Sequence, residues 1–95
     1  MILGSYTLKV QGGKLVRAKV ELAGKKIRNL IITGDFFAYP EDLIELIEKN
    51  LEGFEADYTN IRETIENIVK LEKATLIGVK PEDIAEVIMK ATTEN

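Results

Sequence analysis

Two hydrophobic periods divide this chain. Up to about residue 33 apolar residues recur at every second position, and from residue 40 onward they recur at spacings of three and four. Tyr6, Leu8 and Val10 alternate with Thr7 and Lys9 until Gly12-Gly13 interrupts the pattern. Val16, Ala18, Val20 and Leu22 then alternate with Leu15, Arg17, Lys19 and Glu21, the pattern of a strand with one face buried and one wet. Ala23-Gly24-Lys25-Lys26 reads as a hairpin turn, and residues 27–33 as a third strand. Leu30 and Ile32 share a face of that strand, whereas a regular pleat would turn Ile27 and Ile31 to the other. A bulge near Arg28-Asn29 fits the pattern. Connections this short imply an antiparallel meander.

Residues 40–51 place Leu43, Ile44, Ile47 and Leu51 on one helical stripe, with Gly53 following as a stop. Pro40 suits a first helical position because no N–H is needed there, and Glu41 and Asp42 suit the positive end of the helix dipole. Thr59 or Asn60 can cap a second helix, since Asn60 and Glu63 have capping-box spacing, and its stripe is Ile61, Ile65, Ile68 and Val69. Leu76-Ile77-Gly78-Val79 reads as a short apolar connection. Residues 81–91 form a third helix with Ile84, Ala85, Val87, Ile88 and Ala91 inward. Strands first and helices after predict an α+β fold, a three-stranded antiparallel sheet followed by about three helices packed on one face. The other sheet face carries Lys9, Arg17, Lys19 and Glu21 and is expected to stay wet or to meet a partner.

At 95 residues the chain is expected to form a single domain, 1–95. It has no Cys and no His, which removes disulfides, thiolate nucleophiles, structural zinc and the usual neutral-pH proton shuttle. Only carboxylates could hold a metal, and these are scattered, so no metal site is expected. The start, Met1-Ile2-Leu3-Gly4-Ser5-Tyr6, has neither the basic region nor the apolar stretch of a signal peptide, and no run approaches the roughly 20 apolar residues of a membrane span. No membrane contact and a cytoplasmic location are therefore expected.

Charge is uneven along the chain. Residues 1–34 hold seven basic residues against one acid, a balance of +6, and residues 35–95 hold six against fifteen, a balance of −9, which together give the net −3. A basic surface on the strands could face phosphate or an acidic protein, or could simply protect sheet edges. The acidic helices, the net charge and the lack of exposed aromatics on the strands argue against nucleic acid as a partner.

Three stretches are candidates for chemistry. Gly12-Gly13-Lys14 lies between two strands, where glycines permit positive φ, their N–H groups can point at an anion, and Lys14 adds a mobile charge. An ordinary hairpin with a solvated lysine reads the same way. A Walker A loop is excluded, because Leu15 starts a strand and not a helix. Thr33-Gly34-Asp35-Phe36-Phe37-Ala38-Tyr39-Pro40 holds three aromatics within four residues, to be divided between core and exposed contact surface, with Asp35 orienting a donor or forming an Asx-turn. The acidic residues Glu41, Asp42, Glu45, Glu48 and Glu52 read as a solvated helix face. With no His and only Ser5 as a serine, no nucleophile–base–orienter set exists.

Taken in order, Lys9-Val10-Gln11-Gly12-Gly13-Lys14-Leu15-Val16, Ile32-Thr33-Gly34-Asp35-Phe36-Phe37, Tyr39-Pro40-Glu41-Asp42 and Gly78-Val79-Lys80-Pro81-Glu82-Asp83 resemble the accessory, C-terminal domain of lipoate–protein ligases, over residues 6–91. In bipartite ligases of archaeal type that domain is a separate small subunit. Gln11 stands where the family is expected to favour proline. The resemblance implies a fold similar to iron–sulfur assembly scaffolds, without their cysteines. It implies a large catalytic subunit as partner, and lipoyl-acceptor domains as indirect partners. That subunit makes lipoyl-AMP from lipoate and ATP, with magnesium, before transferring the lipoyl group to a lysine. The resemblance further implies that the accessory chain binds no cofactor alone, is inactive alone, and is needed for the activation step.

On this reading Lys14 is the residue that meets phosphate or carboxylate, with Gly12, Gly13 and Lys9 around it, and Asp35, Phe36, Phe37 and Tyr39 face the partner. The alternative is a non-catalytic protein-interaction or regulatory adaptor.

Overall fold

The computed structural model describes residues 2–93. Its elements run β1 (Ile2–Lys9), β2 (Leu15–Ala23), β3 (Lys26–Gly34), β4 (Phe37–Tyr39), α1 (Leu43–Leu51), α2 (Tyr58–Leu71), β5 (Thr75–Ile77) and α3 (Pro81–Thr93). β1, β2 and β3 form the expected antiparallel meander, in that order. Alternation in β2 sends Val16, Ala18, Val20 and Leu22 inward and leaves Leu15, Arg17 and Lys19 exposed. The register shifts at Glu21/Leu22, where Asn29 pairs Glu21 but Ile27 pairs Leu22, so Arg28 is the extra residue of a bulge. That bulge turns Ile27 inward with Leu30 and Ile32 and leaves Ile31 outside.

The helices cover one face of the sheet. α3 packs on β1 and β2, α1 packs on β3, and α2 packs on α3 and α1. Leu43, Ile47 and Leu51 of α1, Ile61 and Ile65 of α2, and Ile84, Val87 and Ile88 of α3 are fully buried against the inner strand residues. No polar or charged side chain among the described residues is buried. Burial of such apolar side chains supplies roughly 1.5–3 kcal/mol each before the entropy of ordering is subtracted.

Two helix starts differ from the sequence reading. α1 begins at Leu43, not at Pro40, because Pro40 belongs to the turn before it, where its carbonyl accepts the Leu43 N–H at 2.9 Å. α2 is capped by Asp57, whose carboxylate accepts the Asn60 N–H at 2.9 Å; Thr59 and Asn60 already lie inside the helix. α3 begins at Pro81 as its sequence predicts.

The free edge of β3 is covered. The Ile27 N–H donates to the Phe54 carbonyl (2.8 Å), Gly53 N–H to the Ile27 carbonyl (2.7 Å), and Ala56 N–H to the Lys25 carbonyl (3.2 Å). Further along, the Glu48 carboxylate accepts the Ile32 N–H at 2.7 Å. Glu48 thus occupies a backbone donor that would otherwise invite a further strand, and it is not merely part of a solvated face.

β4 and β5, absent from the sequence reading, pair as a separate antiparallel two-stranded ribbon. They occupy the aromatic segment after β3 and the apolar stretch before α3.

Candidate functional site

The β1–β2 corner is closed by two backbone hydrogen bonds, Gly13 N–H to the Val10 carbonyl (3.0 Å) and Val10 N–H to the Lys14 carbonyl (2.9 Å). Gly12 and Gly13 have φ of +98° and +90°, and a Cβ at either would meet nothing within 4 Å. They are glycines for the sign of φ and not for want of space. The Gly13 N–H is already engaged by Val10, so it is not available to an anion, contrary to the sequence reading.

Lys14 follows this corner and is exposed, but its stem is laid down. A Cβ at Gly78 would stand 2.9 Å from Lys14 Cγ, 3.5 Å from Cδ and 3.6 Å from Cβ, so three successive carbons of the lysine rest on the bare backbone after β5. Gly78 itself has φ +90°. The same turn forms one wall of a cleft of about 530 Å³, through Gly78, Val79 and Lys80; Gln11 and Gly12 line another side, and Glu82 and Asp83 of α3 a third. Asp83 is engaged at the helix start, where its carboxylate accepts the Lys80 N–H (2.9 Å) and its own N–H donates to the Lys80 carbonyl (2.9 Å).

The ribbon adjoins this cleft, since Ile77 directly precedes Gly78. Phe37 pairs with Ile77, Ala38 with Leu76, and Tyr39 with Thr75. Opposed residues share a face, so Ala38 and Leu76 pack against the core. Phe37, Tyr39 and Ile77 stand outward, exposed by 58%, 60% and 57%. Apolar side chains this exposed and this close together form a patch suited to contact.

The remaining predicted site residues do other things. The Asp35 carboxylate accepts the Leu15 N–H at 2.6 Å, and the Asp35 N–H donates to the Leu15 carbonyl at 3.2 Å. This clasp ties the segment after β3 to the start of β2, twenty residues away in sequence, and is not an Asx-turn. It needs Gly34, because a Cβ there would fall on the Leu15 carbonyl oxygen and 2.7 Å from the Phe36 ring. Phe36 is half-buried and packed against the core, so of the three clustered aromatics it is the one turned inward. Lys9 pairs with Leu15 on the outer sheet face, near Arg17, and does not line the cleft.

Sequence reasoning missed Ile77 and Gly78 as site residues, although Gly78 stands in one of the blocks that carry the family resemblance. Among the described residues, no three Asp or Glu converge to hold a metal ion. No helix among them is long and apolar enough to cross a membrane.

Lys14 does not itself line the cleft but lies against Gly78, which does, and the exposed ribbon continues from the same turn of this α+β domain. Comparison with known proteins says of which kind the domain is. Residues 6–88 match the family model described as the bacterial lipoate protein ligase C-terminus. A curated relative, lipoate-protein ligase A subunit 2 of Thermoplasma acidophilum, is 34% identical over 74 residues, spanning 78% of this chain and 76% of that one. A similar solved chain, at 30% identity and TM-score 0.79 over 92% of this chain and 94% of that one, comes from a structural study of an archaeal lipoylation system, a bipartite lipoate protein ligase and its E2 lipoyl domain from the same organism. The chain belongs to the lipoate–protein ligase C-terminal domain family and is an accessory component of that ligase class.

Proposed function

We propose that this chain docks on a separate large ligase subunit and supplies Lys14 to the activation of lipoate. In that step a lipoate carboxylate oxygen bonds to the α-phosphorus of ATP, the bond from that phosphorus to the bridging oxygen of the β-phosphate breaks, and pyrophosphate leaves. Carboxylate and triphosphate are both anionic, so bringing them together is opposed by charge. A positioned ammonium offsets that opposition and stabilises the transition state. Lipoate, ATP and magnesium are held by the large subunit. The lipoyl group then passes from lipoyl-AMP to a lysine of an acceptor domain.

The observation that carries this reading is the continuity of Lys14 with the exposed ribbon. Its stem lies on Gly78, next to Ile77, and Ile77 pairs with Phe37. A partner that covers Phe37, Tyr39 and Ile77 brings its own site beside the lysine. Aromatic anchors of this kind are common at the centres of interfaces.

Reconstitution tests it. The chain alone should show no lipoate-dependent ATP–pyrophosphate exchange, the large subunit alone little, and the two together full exchange. Exchange by the isolated chain, in a preparation free of host ligase, would contradict the reading. Full exchange by the large subunit without this chain would favour a regulatory adaptor instead.

A further inference from the structure

We propose that Gly78 is a positioning residue that fixes the direction of the Lys14 side chain; the consequence for catalysis rests on the role of Lys14 in activation proposed above. Five glycines have positive φ: Gly12, Gly13, Gly24, Gly53 and Gly78. At the first four a Cβ would meet nothing within 4 Å, so backbone sign alone accounts for them. Gly78 is different, because the space its missing side chain leaves is filled by Lys14, with Cγ at 2.9 Å from the Cβ position.

The atom in conflict matters. Lys14 Cγ is the second carbon of the side chain, close to a backbone held by the Val10–Lys14 hydrogen bond. It cannot slide away as a flexible tip would. Relief requires rotation about χ1 to another staggered well, and the ammonium, three bonds further out, is swung well away. Contact along three carbons also removes part of the rotamer freedom a solvated lysine keeps. Lys14 is thereby aimed before any partner binds, which reduces the ordering cost at the reacting centre.

The test compares two glycines of nearly equal φ. Gly53, at +91°, has open space where a side chain would go. In the reconstituted complex, Gly78→Ala should slow lipoyl-AMP formation by about tenfold or more, approaching the loss in Lys14→Ala, while transfer from preformed lipoyl-AMP is retained. Gly53→Ala, with a nearly equal positive φ and no collision, should lower thermal stability and leave activation near normal. Lys14→Ala/Gly78→Ala should be no slower than Lys14→Ala, because glycine acting through lysine has nothing further to lose. Additive losses, or normal activation in Gly78→Ala alongside a slow Lys14→Ala, would overturn the inference. A normal Lys14→Ala would instead overturn the activation reading. Independently of any variant, carbon-13 relaxation of lysine methylenes in the unsubstituted chain should find Lys14 Cγ more ordered than Lys9 or Lys19 Cγ. Equal mobility would overturn the positioning claim, even if Gly78→Ala proves unable to fold.

Discussion

The three-stranded sheet and the two-stranded ribbon use similar residues to opposite ends. In β2 the alternation hides Val16, Ala18, Val20 and Leu22 beneath the helices and leaves Arg17 and Lys19 outside, together with Leu15. In the ribbon the inward positions hold only the half-buried Ala38 and Leu76, whereas the outward ones hold Phe37, Tyr39 and Ile77. β2 is nine residues long and lies between two neighbours; β4 and β5 are three residues each and pair only with each other. A two-stranded ribbon is marginal alone and must borrow order from what it packs on. The sheet carries the buried core, with Leu3, Leu15 and Ile31 exposed on its outer face, whereas the ribbon buries little and groups Phe37, Tyr39 and Ile77 outward, so changes in the two should separate by readout.

The largest effect is expected in the core. Ile47→Ala removes a fully buried side chain of α1 and should cost roughly 2–5 kcal/mol of unfolding free energy. Denaturant titration measures it, and the fraction still folded should bind its partner normally. Gly34→Ala attacks the junction between the regions. Its Cβ meets the Leu15 carbonyl and the Phe36 ring, breaking the Asp35–Leu15 clasp, at a cost of about 1–3 kcal/mol.

Phe37→Ala should do the reverse of Ile47→Ala. Its stability should change by no more than about 0.5 kcal/mol, while affinity for the large subunit, followed by calorimetry, falls by about 1–2 kcal/mol. Phe36→Ala serves as the inward control and should lose stability first. If Phe37→Ala and Phe36→Ala both lose only stability, the ribbon is core after all and the comparison collapses. Smallest of these is Asp57→Ala, which removes the α2 cap far from the ribbon and should cost about 1 kcal/mol with no change in binding.

Much of the first region is legible in the sequence because its information is local. The alternation of β2 marks its inner face directly. The misfit of Ile27 with Leu30 marks the bulge, and the stripe from Ile84 to Ala91 marks α3. The ribbon is illegible for the opposite reason. Three residues give too few alternations to separate a strand from a loop, and each half is ordered only by a partner distant in sequence. Asp35 reads locally as a residue that orients a donor or forms a turn, but the donor it holds, the Leu15 N–H, lies twenty residues away and is beyond local reading. The capping-box spacing of Asn60 and Glu63 competes with Asp57 in the sequence, and the structure gives the cap to Asp57. Lys14 stands out from its neighbouring glycines and the family resemblance, but Gly78, on which its stem rests, is sixty-four residues away and no local spacing links the two.

If Lys14 serves activation and not transfer, its loss should separate the two half-reactions. Lys14→Ala, assembled with the large subunit, is assayed in both half-reactions under saturating subunit concentration. Lipoyl-AMP formation should slow by roughly tenfold to a thousandfold, the scale of one lost charge-assisted contact at the reacting groups. Lys14→Arg should restore only part of this, since a planar guanidinium does not reproduce a compact ammonium. Given preformed lipoyl-AMP, the same Lys14→Ala complex should lipoylate its acceptor at nearly the normal rate. Equal losses in the two half-reactions would mean that Lys14 supports docking, and no loss in either would leave it a solvated lysine after a hairpin turn; either result contradicts a role in activation.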